Sequence, residues 1–154
     1  MNTVFACDCA LISTEDAVNK SGMVFSGKVV GFEYRKGIPN EFMTTQGKED
    51  ASQTDYETLV VKIQVEQWWK GDVPAEVVLL TSTTKNADGT MSVSSCDYHF
   101  RQGESYLIFA VGKEDAYRTS DCLRTKKLAQ AEEELKILGE GKEPVEKKDE
   151  PDRP

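Results

Sequence analysis

Leu59, Val61, Ile63 and Val65 alternate with Lys62, Gln64 and Glu66, a two-residue period that predicts a strand with one buried face. Trp68-Trp69-Lys70-Gly71 closes that strand. Met23 to Tyr34 reads as a strand before it, with Gly27 and Gly31 as bend or bulge points. Val77–Thr81 is a third, apolar on both faces, and Asn86-Ala87-Asp88-Gly89 is a turn. Met91 to Phe100 reads as a fourth strand, with Cys96, Tyr98 and Phe100 on one face. Glu104 to Gly112 is a fifth, and a short sixth segment leads into Cys122. Two helices frame these strands. Ser13 caps a short one, with Glu15 and Asp16 in its first turn and Ser21-Gly22 at its end. Leu128, Ala131, Leu135 and Leu138 repeat at helical spacing, with Gly139 at the C′ position, so a second helix lays one apolar stripe on the sheet. Many short strands with glycine bends predict a mainly β fold, a closed or partly closed antiparallel barrel of five to six strands.

The length of 154 residues fits one domain. Two stretches are too polar to join its core. Residues 140–154 hold no aromatic residue and read as a disordered charged tail, and Arg35 to Asp55 reads as a long loop. Hydrophobic content is 38% and net charge is −8. No Lys/Arg run is interleaved with aromatics, which argues against nucleic acid and against polybasic membrane attachment. No apolar run approaches membrane-spanning length.

The four cysteines are Cys7, Cys9, Cys96 and Cys122. Residues i and i+2 of an extended segment point the same way, so Cys7 and Cys9 can offer both sulfurs to one surface. Zinc ribbons use two close pairs with wider gaps, so disulfides are expected, with three possible pairings. Disulfides place the protein outside the cytosol, secreted or in the cell envelope. Val4-Phe5-Ala6 suits signal-peptide cleavage before Cys7, leaving residues 1–6 as the remnant of a removed signal or a start added for expression. Lipidation of Cys7 is the competing possibility, disfavoured by Phe5 and by the loss of that thiol for a disulfide.

Catalytic chemistry is not legible. His99 is the single histidine and alternates away from Tyr98 and Phe100 towards solvent. There is no HExxH, nucleophile elbow or phosphate loop. Glu132-Glu133-Glu134 reads as a solvated helix face, and Asp115 and Asp121 as turn residues. The expectation is a protein that is not an enzyme, with no cofactor and no metal of its own.

Cys7-Asp8-Cys9, Met23–Gly31, Gln67–Gly71, Ser94–Tyr98 and Glu104–Ala110, in that order, resemble segments of the tissue inhibitors of metalloproteinases and, more widely, of the netrin-like module. Cys7-Asp8-Cys9 is similar to their Cys-x-Cys start, and Met23-Val24-Phe25-Ser26-Gly27-Lys28-Val29-Val30-Gly31 to their first barrel strand. Gln67-Trp68-Trp69-Lys70-Gly71 resembles the aromatic-Lys-Gly strand end. Ser94-Ser95-Cys96-Asp97-Tyr98 resembles the connector beside the N-terminus, and Glu104-Ser105-Tyr106-Leu107-Ile108-Phe109-Ala110 a later strand. The resemblance spans residues 7–139, the expected folded domain, and suggests a bacterial single-module relative. It implies an OB-like barrel with a short N-terminal helix and a C-terminal helix packed on it, and the pairing Cys7–Cys96 and Cys9–Cys122. It also implies a mode of action. The free amine and carbonyl of Cys7 would chelate the catalytic zinc of a metalloprotease, Asp8 would enter its specificity pocket, and Cys9, Ser94 and Ser95 would line the contact. Asp8 stands where the family carries Thr or Ser, and residues ahead of Cys7 would block the amine. A non-inhibitory netrin-like module that binds another extracytoplasmic protein is the alternative.

Overall fold

Three long strands and one short one build most of the sheet. They are β1 (Met23–Lys36), β2 (Glu57–Lys70), β3 (Glu76–Lys85) and β5 (Ser105–Ala110). Two-residue strands β4 (Met91–Ser92) and β6 (Lys126–Lys127) sit at the edges. The order is β4-β3-β2-β1-β5-β6, and every pairing is antiparallel. Among the described residues two α-helices accompany the sheet, α1 (Thr14–Lys20) and α2 (Glu132–Leu138). The computed structural model describes residues 10, 12–36, 56–93, 98–113, 116–120 and 122–145.

The fold is mainly β, a six-stranded antiparallel sheet curled into a half-barrel. Its curl follows the β1–β2 pairing, where Trp69 and Glu66 of β2 and Val30 of β1 are the extra residues. The β1–β2 register slips between Val24 and Phe25, between Ser26 and Gly27, and between Val29 and Gly31. Extra residues on one strand of a pair bend it and increase its twist. Gly27 sits at one slip and is tightly enclosed: a Cβ there would lie 2.6 Å from Ile63 Cγ2 and 2.7 Å from Gln64 O. The curled sheet is then stitched across its mouth. Leu80 N–H donates to Tyr117 O at 2.9 Å, while Val111 and Arg118 exchange both backbone hydrogen bonds. Residues 116–118 therefore link β3 to the end of β5, which is the sixth segment expected from the sequence.

Alternation sorts side chains between two cores. On β5, Tyr106, Ile108 and Ala110 face the concave interior, with Phe25, Ile63, Val65 and Leu79. Leu107 and Phe109 face outward, where Ala17 of α1 and Ala131 pack on them with Leu135 and Leu138 of α2. Both faces of β5 are fully covered, and each large side chain so buried is worth about 1.5–3 kcal/mol. The helices thus lie on the convex face over β1 and β5. Ser13 Oγ accepts from Asp16 N–H at 3.0 Å, the expected cap of α1. The apolar stripe of the second helix is divided, Leu128 lying in a 3-10 turn that precedes α2. Gly139 ends α2 at a φ of 80°. None of the described helices is long and apolar enough to cross a membrane.

Three expectations change. The fourth strand, expected over Met91–Phe100, forms ladder pairs at Met91 and Ser92 alone among the described residues. Residues 94–97 lie outside the described residues. Tyr98 and Phe100 turn inward and pack edge-to-face on Tyr106, with centroids 5.7 and 4.8 Å away. Burying two rings against a third outweighs continuing an edge ladder. His99 between them is exposed, as expected.

Lys142–Val145, expected within the tail, are bonded to the sheet. Trp68 and Lys142 exchange both backbone hydrogen bonds, at 2.9 and 2.8 Å, and Val145 N–H donates to Val73 O at 2.8 Å. Trp68 Nε1 donates to Glu143 O, and Trp69 Nε1 to Gly139 O. Two indole donors and a free strand end recruit a segment whose own composition is too polar to fold. Residues 146–154 lie outside the described residues, as do residues 37–55 of the expected loop.

The third change concerns Glu134. It is fully buried, not part of a solvated acidic face.

Candidate functional site

The residues expected to meet a partner are Cys7, Asp8, Cys9, Ser94 and Ser95, with Cys96 beside them. All six lie outside the described residues. Cys122 is described. No described cysteine is free, and Cys122 is disulfide-bonded. Cys122 and Ile12 belong to one hydrogen-bonded frame.

That frame begins on β5. Phe109 N–H donates to Thr125 Oγ1 at 2.9 Å, and Thr119 Oγ1 donates to Phe109 O at 2.7 Å. The two hydroxyls also contact each other at 2.7 Å. Two buried threonines on either side of Cys122 therefore take the place of a sheet partner for Phe109. Between them, Leu123 N–H donates to Ser120 O, and Cys122 N–H to Ser120 Oγ at 3.1 Å. The turn that carries Cys122 is thus fastened at both ends to a central strand.

Arg124 extends the frame to the N-terminal segment. Its Nη1 donates to Ile12 O at 2.7 Å. Its Nε and Nη2 both reach Glu134 Oε2, at 3.0 and 2.7 Å. Lys126 Nζ reaches the same oxygen at 2.5 Å. One carboxylate on α2 thus aligns two cations from the 122–127 segment, and one of them grips the backbone just before α1. Burial raises the Glu134 pKa, but hydrogen bonds from Lys126, its own backbone and Arg124 outweigh that and hold it below the usual carboxylate value. Its Oε1 has no hydrogen-bond partner among the described residues.

The sequence carried a signal for Glu134 that a reading of the acidic run overlooks. Residue 134 lies three after Ala131 and four before Leu138, on the side of the helix that bears the apolar stripe. A lone carboxylate there needs cations, and Arg124 and Lys126 stand two residues apart in the sequence.

A cleft of about 650 Å³ opens where β3 approaches Tyr117. Met23, Gly71, Asp72, Val77 and Leu80 contribute to its wall. Asp72 adopts a φ of 50°, the one described non-glycine residue with positive φ. No group of three or more His, Cys, Asp or Glu side chains among the described residues could hold a metal ion. No protein-family model matches the chain, and no curated protein matches it.

Proposed function

We propose that this chain is an extracytoplasmic, netrin-type module that displays its Cys7-Asp8-Cys9 segment to a partner protein, and that the partner is a zinc metalloprotease. The reading rests on the resemblance drawn from the sequence, and one contact supports it best. Ile12 O lies 2.7 Å from Arg124 Nη1. Cys9 is three residues upstream of Ile12, and Cys122 is two upstream of Arg124. A disulfide needs Cα atoms about 4.4–6.8 Å apart, and three residues of extended chain span about 10 Å. That spacing is compatible with the pairing the resemblance implies, Cys9–Cys122 and Cys7–Cys96.

Two such bridges would fix a terminus that would otherwise fray. A pre-ordered Cys7 amine and carbonyl would lose little entropy on chelating a zinc ion that keeps an open coordination position. This requires processing after Ala6. Asp8 favours a second reading, a module that binds without inhibiting, because a carboxylate is costly to place in an apolar pocket.

The test has two stages. Protein exported through its own signal is digested unreduced with a protease that cuts ahead of Asp8, separating Cys7 from Cys9, and the linked peptides are weighed. Cys9 joined to Cys122 is expected, and Cys7 joined to Cys122 would overturn the arrangement. The mature terminus is then sequenced and the protein titrated against zinc proteases. A free Cys7 amine with stoichiometric inhibition supports the inhibitor. A blocked terminus rules it out, and a free terminus with no inhibition selects the non-inhibitory module.

A further inference from the structure

We infer that the outer edge of β1 from Phe32 to Lys36 is a self-association surface, on which a second copy of this chain adds its own β1 antiparallel across a twofold axis at Tyr34. The first half of β1 is paired on both sides, and its ladder with β5 ends at Lys28 opposite Ser105. Val29 still bonds in that direction, through Glu104 O and Gly103 N–H, and Val30 O accepts from Gln102 Nε2 at 3.3 Å. Beyond Val30, β1 continues to Lys36 with β2 on one side only, and no described strand pairs with the other. The register skip at Val29/Gly31 makes Val30 the extra residue, so alternation turns the backbone groups of Phe32, Tyr34 and Lys36 towards the open side. An edge of this kind is a template for another strand.

Charge order selects the occupant. An antiparallel pairing centred on Tyr34 places Glu33 opposite the partner copy's Arg35, and the twofold repeats that pair. Centring one residue earlier, on Glu33, would set two carboxylates face to face. Glu33 already holds Arg35 at 2.9 Å within its own strand and Lys62 at 3.3 Å, so the charged groups share one face. On the other face the same register lays the Lys36 stem over Phe32, which is 39% exposed, and sets Tyr34 against Tyr34. The edge is self-complementary, as an isologous interface must be.

Sedimentation of the full chain over a concentration series tests this. A monomer–dimer equilibrium is expected. Arg35→Glu opposes two carboxylates at each pair and should weaken association by about tenfold or more. The double variant Glu33→Arg/Arg35→Glu reverses both partners and should restore association. Amide exchange of unmodified protein gives an independent reading: Phe32, Tyr34 and Lys36 should gain protection as concentration rises. A monomer at every concentration overturns the inference. So does a dimer that ignores Arg35→Glu, or one whose three amides exchange at a rate independent of concentration.

Discussion

Arg124 and Ile12 are separated by most of the chain, yet the guanidinium of one donates to the carbonyl of the other at 2.7 Å. The same guanidinium makes two hydrogen bonds to Glu134, so it joins three segments that share no strand pairing: the approach to α1, the turn after Cys122, and α2. Arg124→Ala should therefore cost more than a surface ion pair. It leaves a fully buried carboxylate with Lys126 as its one remaining cation among the described residues. Breaking a buried pair from one side costs about 3–5 kcal/mol. The lower end is expected because Lys126 stays and Arg124 is partly exposed. Urea unfolding should show that loss. The double variant Arg124→Ala/Glu134→Leu should recover much of it, since the uncompensated charge is gone.

Glu134 also sets an acid limit on the frame. Its folded pKa is depressed below the ordinary 4.5 by hydrogen bonds that outweigh burial. A depressed carboxylate contributes stability in full above its unfolded pKa and loses it as pH falls through the folded one. The stability gap between unmodified protein and Glu134→Gln should be constant near neutrality. It should shrink as pH drops below about 4.5 and vanish below the folded pKa. Unfolding curves at stepped pH would read this. A gap that widened on acidification would contradict the geometry at Oε2.

The threonine pair around Cys122 makes a separate prediction. Thr125→Val keeps the shape but leaves Phe109 N–H without its hydroxyl acceptor on a buried strand. A buried donor deprived of its partner costs about 1–3 kcal/mol. Thr119→Val deprives Phe109 O instead. Because the two hydroxyls also touch, the losses should not add. A double-mutant cycle by thermal or urea unfolding is expected to return a non-zero coupling.

Most of the barrel could be read from residue types, because alternation and capping are local signals. Ser13, the Val61–Ile63–Val65 face and the Asn86–Gly89 turn need only their neighbours to declare themselves. What could not be read depends on distant partners. Tyr98 and Phe100 fit a strand pattern, yet Tyr106 draws them inward. Glu134 resembles its acidic neighbours until Arg124 and Lys126 arrive from another segment. The expected partner-binding residues were named from a resemblance, and they lie outside the described residues.

The C-terminal strap shows the same dependence on distant partners. Lys142–Val145 is short, charged and proline-bearing, and no periodicity predicts that it packs. Trp68 holds it with two backbone bonds and an indole bond, and Lys142 Nζ lies 4.8 Å from the centroid of the Trp68 ring. Its removal would uncover Trp68, which is buried in the interior cluster, and strand its indole N–H. A chain ending at Gly139 should be less stable than one ending at Val145 by about 2–4 kcal/mol, combining lost apolar cover with lost hydrogen bonds. Trp68→Phe in the longer chain removes the indole donor alone and should cost about 1 kcal/mol from that bond, plus the lost ring contact. Tryptophan fluorescence gives a second reading of the truncation, with a red shift expected as Trp68 meets water. If the two truncations unfold at the same denaturant concentration, the strap contributes nothing to stability and its contacts are incidental to the fold.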